Sequence, residues 1–228
     1  MIGDLSTYSL SQFLMFSPET YFRLYELYNA DVWPAQIAAA MLALVLIGLT
    51  RRPGPWRGRA ALLLLALSWA AIAWLFFYRH YATINLAAPW MGAGFALQAL
   101  LLMAVAALGG LRFQWAGDAA GRLGLGLLLY AVALHPLLGP AVGRAWAGVE
   151  VFGLAPDPTA LGTLGLALMA KGRRRWLLAA VPVLWCIASG LTCLAMDYRA
   201  GLVTPAVSLV ALLAMAGQAM ARGRTAAA

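Results

Sequence analysis

Seven runs of apolar residues, separated by short polar connections, restrict what this chain can fold into. A helix needs about 20 mainly apolar residues to cross the hydrocarbon core of a bilayer. The chain is 64% hydrophobic and 11% charged, a composition that soluble domains do not have. We therefore predict an all-α fold, a polytopic membrane helical bundle with seven spans. The spans cover roughly residues 33–50, 60–78, 88–111, 123–143, 158–170, 176–196 and 202–221.

The fifth run is the shortest. Its 13 residues extend about 20 Å as an α-helix, whereas the hydrocarbon core is about 30 Å thick. Either this span draws on residues 149–155 or part of its path is not helical. The connections are too short to hold a soluble domain, so we expect residues 33–221 to form one compact bundle.

The lysines and arginines are distributed unevenly between the two sets of connections. One set holds 12 of them and the other holds 4. Because positive charge is retained in the cytoplasm, this partition predicts an outer N-terminus and a short cytoplasmic tail at 222–228. We expect a multi-pass protein of the bacterial inner membrane. The basic residues that give the chain its net charge of +8 are then explained by the orientation of the spans in a lipid bilayer. Nucleic acid is therefore not an expected partner.

The first 32 residues are expected to form an interfacial amphipathic segment. They lack the basic region and cleavage site of a signal peptide. Ser17 followed by Pro18 is a typical helix start. Tyr21, Tyr25 and Tyr28 then share one helical face, which favours a helix that lies in the outer interface and packs on the bundle. The alternative is an aromatic belt that only anchors the first span.

Two predicted outer connections contain the most informative polar residues. His80, Tyr81 and Asn85 lie between the second and third spans, where they either cap the flanking helices or line a vestibule. Glu150 and Asp157 precede the short fifth span. Asp157 before a proline fits an N-cap, but a helix that begins inside the membrane also presents unpaired N–H groups to a polar ligand. Glu150 has no comparable structural explanation, because an acid near an apolar environment is costly unless it is paired or hydrated.

His135 lies in the outer half of the predicted fourth span, directly before Pro136, which should kink the helix. It is either a buried histidine satisfied by a neighbouring span or the partner of Glu150 in a titrating pair. Glu26 is a weaker candidate, since its pairing with Arg23 one helical turn away is typical of an exposed surface.

Three phrases of the sequence resemble those of a known family: FSPETY at 16–21, YATINLAAP at 81–89 and EVFGLAPDPT at 150–159. Together they are similar to a family of bacterial integral membrane proteins that is catalogued only as a domain of unknown function. The resemblance covers nearly the whole chain and implies a helical membrane fold. Some members carry automatic permease labels, but no mechanism follows from the resemblance.

Several function classes are excluded by missing residues. There is no phosphate-binding glycine loop followed by lysine, no serine-hydrolase elbow and no zinc-protease motif. No cofactor and no metal site is predicted; haem ligation by His80 and His135 is a weak alternative without a motif. Cys186 and Cys193, seven residues apart on one helix, are too distant to form a disulfide with each other.

Three functions remain open. The first is binding or passage of a small polar solute or cation through an outward-facing cavity. The second is a membrane-embedded enzyme that uses Glu150 and His135 on a lipid or quinone-like substrate. The third is an accessory subunit whose polar residues only hold the helices together. The residues expected to line the cavity are Glu150, Asp157, His135, Asn85, Tyr81, His80 and Glu26.

Overall fold

The computed structural model describes residues 14–109, 111–114 and 118–227, of which residues 222–227 are described by their backbone alone. These residues fold into helices and short connections. The helices are α1 (Pro18–Asp31), α2 (Ala35–Thr50), α3 (Pro55–Ala71) with a π-helical extension (Ile72–Tyr78), α4 (Ala88–Ala107), α5 (Ala119–Leu129) continued by a π-helical turn (Tyr130–Leu134) and α6 (His135–Ala141), α7 (Pro156–Met169), α8 (Arg175–Ala195) and α9 (Val203–Ala227).

Five helical segments are long and apolar enough to cross a membrane: Pro55–Thr83, Ala88–Ala107, Ala119–Ala141, Arg175–Ala195 and Arg199–Ala221. A sixth is obtained if α1 and α2, which meet at an angle of 89°, are counted as one broken span. Large apolar side chains such as Leu44, Leu67 and Leu184 are more than 60% exposed on the outside of the bundle. Apolar surface of this kind is expected where lipid replaces water as the solvent.

The short fifth run forms a helix that is completely enclosed by protein. All 14 residues of α7 are buried, and the helix is about 21 Å long. It packs against α5 at a glycine contact, where a Cβ on Gly165 would lie 2.6 Å from the carbonyl oxygen of Gly124. Small residues allow helix backbones to approach this closely in membranes. Because its ends and sides are covered by protein, α7 does not need the length of a lipid-exposed span.

The connections rich in arginine and lysine gather at one end of the bundle, which we call the basic end. Here Phe113 pairs with Ala170 in an isolated β-bridge. Lys171 forms an ion pair with Asp118, and Arg174 donates to the carbonyl of Leu108 at 3.1 Å. These contacts bring the connection that follows α4 and the connection between α7 and α8 together. The opposite end, which contains the acids other than Asp118 among the described residues, is called the acidic end.

Helix α1 packs on the acidic end through its tyrosine face. Ser17 accepts from the backbone N–H of Thr20 at 3.2 Å and caps the helix. Tyr21, Tyr25 and Tyr28 are all buried, and the hydroxyl of Tyr28 donates to the carbonyl of Leu154 at 2.9 Å. Helix α1 therefore packs on the bundle, while its position at a membrane interface stays a prediction; residues 1–13 lie outside the described part of the chain.

Candidate functional site

His135 is positioned by an irregular stretch of helix. The segment Tyr130–Leu134 is π-helical, and α6 begins at His135. Pro136 has no N–H to donate, so it cannot continue the regular hydrogen-bond ladder. The predicted disturbance of the helix at this proline is therefore present, and it takes the form of a π-helical turn, a feature often associated with functional sites. His135 itself is only 5% exposed.

Asp157 is held by a clamp of three hydrogen-bond donors. Its Oδ1 accepts from the indole N–H of Trp185 at 2.7 Å. Its Oδ2 accepts from the hydroxyls of Ser189 at 2.9 Å and Thr204 at 3.0 Å. We call these residues the Asp157 clamp. The donors come from α8 and from the start of α9, so the carboxylate links three helices.

The prediction that Asp157 caps its helix is wrong. The N-cap position of α7 is Ala155, which makes no side-chain capping bond, and Asp157 lies inside the first turn. The physical reason is that the side chain finds stronger partners on α8 and α9 than the backbone N–H groups of its own helix. An acid in the first turn still interacts favourably with the positive end of the helix dipole. The predicted burial and hydrogen bonding of Asp157 are confirmed.

Glu150 lies in the connection between α6 and α7, where it is paired with Arg144. The guanidinium Nη1 donates to Oε1 of Glu150 at 3.0 Å, and only 12% and 14% of the two side chains is exposed. The guanidinium carbon also lies 4.1 Å from the centre of the Phe22 ring. Arg144 is thus the charged partner that a largely buried acid such as Glu150 requires.

The ionisation of this pair is shifted by its surroundings. Burial raises the pKa of Glu150, and the charge of Asp157 adds to this effect, whereas His135 and Arg144 oppose it. Burial lowers the pKa of Arg144, but Glu150 and Tyr198 together outweigh this effect, so the pKa of Arg144 is raised. Arg144 therefore stays charged, and any change of protonation in the pair falls on Glu150.

His135, Glu150 and Asp157 converge on one small cavity. One donor atom from each side chain lies within 4.8 Å of the donor atoms of the other two. The cavity has a volume of about 30 Å³ and is also lined by Arg144 and Cys193. A volume of about 10–15 Å³ holds one water molecule. The cavity therefore has room for an ion together with one or two water molecules.

The other residues predicted for the site lie elsewhere at the acidic end. His80 donates from Nδ1 to the carbonyl of Leu75 at 2.7 Å, and its Nε2 lies 3.5 Å from a carboxylate oxygen of Asp31. Asn85 accepts from the N–H of Ala87 at 2.9 Å in the turn before α4, and it also lines a surface depression together with Phe16 and Thr83.

Tyr81 and Glu26 likewise lie outside the cavity. The Tyr81 ring is buried against those of Tyr21 and Phe76, and Glu26 pairs with Arg23. Of the seven residues predicted for the site, the structure brings His135, Glu150 and Asp157 together. The other four, which are His80, Asn85, Tyr81 and Glu26, lie outside this cluster. The sequence prediction also missed Arg144, although it lies only six residues before Glu150, and Thr204, whose contact with Asp157 joins segments 47 residues apart and leaves no local signal.

Comparison with known proteins agrees with this structure but names no activity. No curated protein and no solved structure matches the chain. A family model described as "Family of unknown function (DUF6064)" matches residues 18–225, which include every helix described above apart from the last residues of α9. The resemblance stated from the three sequence phrases is therefore confirmed. On this match, the chain belongs to the DUF6064 family of unknown function.

Proposed function

We propose that this protein is a multi-pass protein of the bacterial inner membrane that binds a small cation in the cavity at its acidic end. The observation that carries the proposal is the convergence of His135, Glu150 and Asp157 on a space large enough for an ion. Among the described residues that line the cavity, the two carboxylates face one guanidinium, that of Arg144. With both carboxylates ionised and His135 neutral, these groups carry a net charge of about −1; a buried charge of this kind is costly, and a bound cation would offset it.

The arrangement in the membrane is part of the proposal. We assign seven passes between the two ends, with α7 as the enclosed pass, and place the acidic end outside. The support is the excess of lysine and arginine at the basic end. Arg57→Cys lies at the basic end and Arg199→Cys at the acidic end. In intact cells, a membrane-impermeant thiol reagent should label the second variant above the parent background and leave the first unlabelled; the reverse pattern would refute the orientation.

Two observations on the described residues favour binding over passage. The Asp157 clamp occupies the start of α7, and the rest of that helix contains no other ionisable residue and is buried. Further along, Thr163 accepts from the indole of Trp69 at 3.0 Å, which links α3 to α7 across the interior. A cation would thus reach the cavity from the acidic end and leave by the same route.

The test uses purified protein in detergent and a panel of chloride salts at constant ionic strength: Na⁺, K⁺, guanidinium, Mg²⁺, Ca²⁺ and Zn²⁺. At least one cation should raise the midpoint of thermal unfolding, and Glu150→Gln should reduce that increase. The matched control is Glu26→Gln, an acid at the same end but outside the cavity. The proposal fails if no cation stabilises the protein, or if the two variants respond alike.

A second candidate function, an enzyme acting on a lipid, is favoured by one observation. An apolar groove of about 250 Å³ lies between α5 and α9 and is lined by Leu127, Tyr130 and Val207 among others. The Tyr130 ring, which lines the groove, lies 6.0 Å from the ring of His135, which lines the cavity. Gly126→Trp would fill this groove. If an acyl chain occupies the groove, this variant should retain less lipid after purification than the wild type, as measured by mass spectrometry. Unchanged retention would remove this candidate.

A further inference from the structure

The three side chains around the cavity are of the types that ligate transition metals. His135 offers a ring nitrogen, and Glu150 and Asp157 each offer a carboxylate oxygen, all within 4.8 Å of one another. Ligand bonds of about 2.0–2.2 Å to Zn²⁺ place neighbouring donor atoms roughly 3.3–3.6 Å apart. Small side-chain rotations are sufficient to bring the three donor atoms from within 4.8 Å of one another to this spacing. Glu150 and Asp157 are seven residues apart and His135 lies 15 residues before Glu150, spacings that match none of the metal motifs sought in the sequence.

His135 supplies an independent indication of a ligand. Its Nδ1 is buried and has no hydrogen-bond partner, although the residue is 95% enclosed and lines the cavity. A buried polar atom without a partner costs about 1–3 kcal/mol. An imidazole nitrogen in this state is suited to coordinate a metal, because coordination satisfies it without a protein donor.

Both carboxylates are held by outer contacts and keep free lone pairs. Asp157 is fixed by its clamp, yet its Oδ1 accepts from Trp185 alone and so retains a second lone pair. Glu150 is fixed by Arg144 through Oε1, and its Oε2 accepts no hydrogen bond from a described residue. Ligating carboxylates in metal sites are commonly oriented by such outer hydrogen bonds.

We propose that His135, Glu150 and Asp157 bind one divalent transition-metal ion, with a fourth position open to the cavity. This identifies the cation of the proposed function and therefore rests on it. Imidazole favours Zn²⁺, Fe²⁺ and related ions over Mg²⁺ and Ca²⁺, which take oxygen ligands. Three protein ligands with an open position are typical of catalytic and binding sites, whereas structural zinc sites use four.

The experiment uses the full-length protein purified without a histidine tag and treated with a chelator. Zn²⁺ binding is measured by calorimetry, and the bound metal per chain by elemental analysis after gel filtration. We expect one Zn²⁺ per chain and at least about 100-fold weaker binding of Mg²⁺. His135→Gln should lower the Zn²⁺ affinity at least about 100-fold, since it removes a direct ligand. His80→Gln, the matched control outside the cavity, should leave it unchanged.

Co²⁺ gives a second readout that does not depend on stability. Its visible absorption should indicate nitrogen and oxygen ligands, without the sulfur charge-transfer band that Cys193 would produce if it were a ligand. Wild-type protein that binds no Zn²⁺, equal losses in the two histidine variants, or a sulfur band would each overturn the assignment. If Na⁺, K⁺ or guanidinium stabilises the protein while Zn²⁺ does not bind, the metal assignment fails and the proposed cation pocket stands.

Discussion

Replacing Asp157 by alanine should destabilise the protein well beyond the loss of a helix cap. The substitution removes the acceptor of all three donors in the clamp. Hydrogen bonds to a charged group contribute about 1.5–3 kcal/mol each, so the three would sum to roughly 5–9 kcal/mol. The substitution also removes a carboxylate that is 8% exposed, and relief of its desolvation offsets several kcal/mol of that sum.

The three donors that lose their acceptor in Asp157→Ala differ in the alternative hydrogen bonds they can form. Ser189 and Thr204 can turn their hydroxyls toward other acceptors, such as a backbone carbonyl of the same helix. The indole N–H of Trp185 can only donate and has no such alternative, which alone costs about 1–3 kcal/mol. We therefore expect Asp157→Ala to lower the free energy of unfolding by about 3 kcal/mol. A lost N-cap would cost about 1 kcal/mol.

The assay is equilibrium unfolding in mixed detergent micelles with increasing SDS. Asp31→Ala is the control, because this acid is half exposed and its contacts with Arg79 and His80 are long. Exposed ion pairs contribute about 0–1 kcal/mol. A loss of 1 kcal/mol or less for Asp157→Ala, or a loss equal to that of Asp31→Ala, would show that the clamp does not stabilise the bundle.

Two further changes test the packing and the cavity. Gly165→Ala places a Cβ against the Gly124 carbonyl and should lower the free energy of unfolding by about 1–3 kcal/mol in the same assay. The control is Gly126→Ala on α5, whose Cβ meets no atom within 4 Å and which should change little. Equal effects of the two substitutions would argue against close contact between α5 and α7. In chelator-treated protein, the double variant Glu150→Gln with His135→Gln should lose less stability than the two single changes combined, because residues that share one cavity are coupled. Additive losses would indicate that the two side chains do not interact.

The helices were predictable because lipid imposes a simple requirement on them. Runs of apolar residues in a bilayer must satisfy their backbone hydrogen bonds internally, so length and hydropathy determine where helices form. The fifth apolar run was ambiguous because it is shorter than this requirement allows for a helix exposed to lipid. Its length could not show that α7 is surrounded by protein on every side, since that depends on how the other helices assemble around it.

The site was predictable only in part, for reasons visible in its residues. Glu150 and Asp157 were selected because charged groups near a membrane interior require an explanation. The partners that hold Asp157 come from 28 to 47 residues later in the chain. No periodicity or spacing encodes such contacts. Asn85 and His80 were selected for their polarity, and the structure shows them bonded to their local backbone.

The enclosure of α7 has a consequence for how the protein is made. Synthesis proceeds from the N-terminus, so Glu150 and Asp157 leave the ribosome before α8 and α9, which supply the clamp. Until then, a short helix that carries an unclamped carboxylate has no full set of neighbours and is too short to cross the bilayer alone. Stable insertion of α7 must therefore wait for the C-terminal helices. The cavity is completed last, because part of its lining comes from α8 and α9. On the proposed function, a nascent chain would therefore lack its cation site until these helices have joined the bundle.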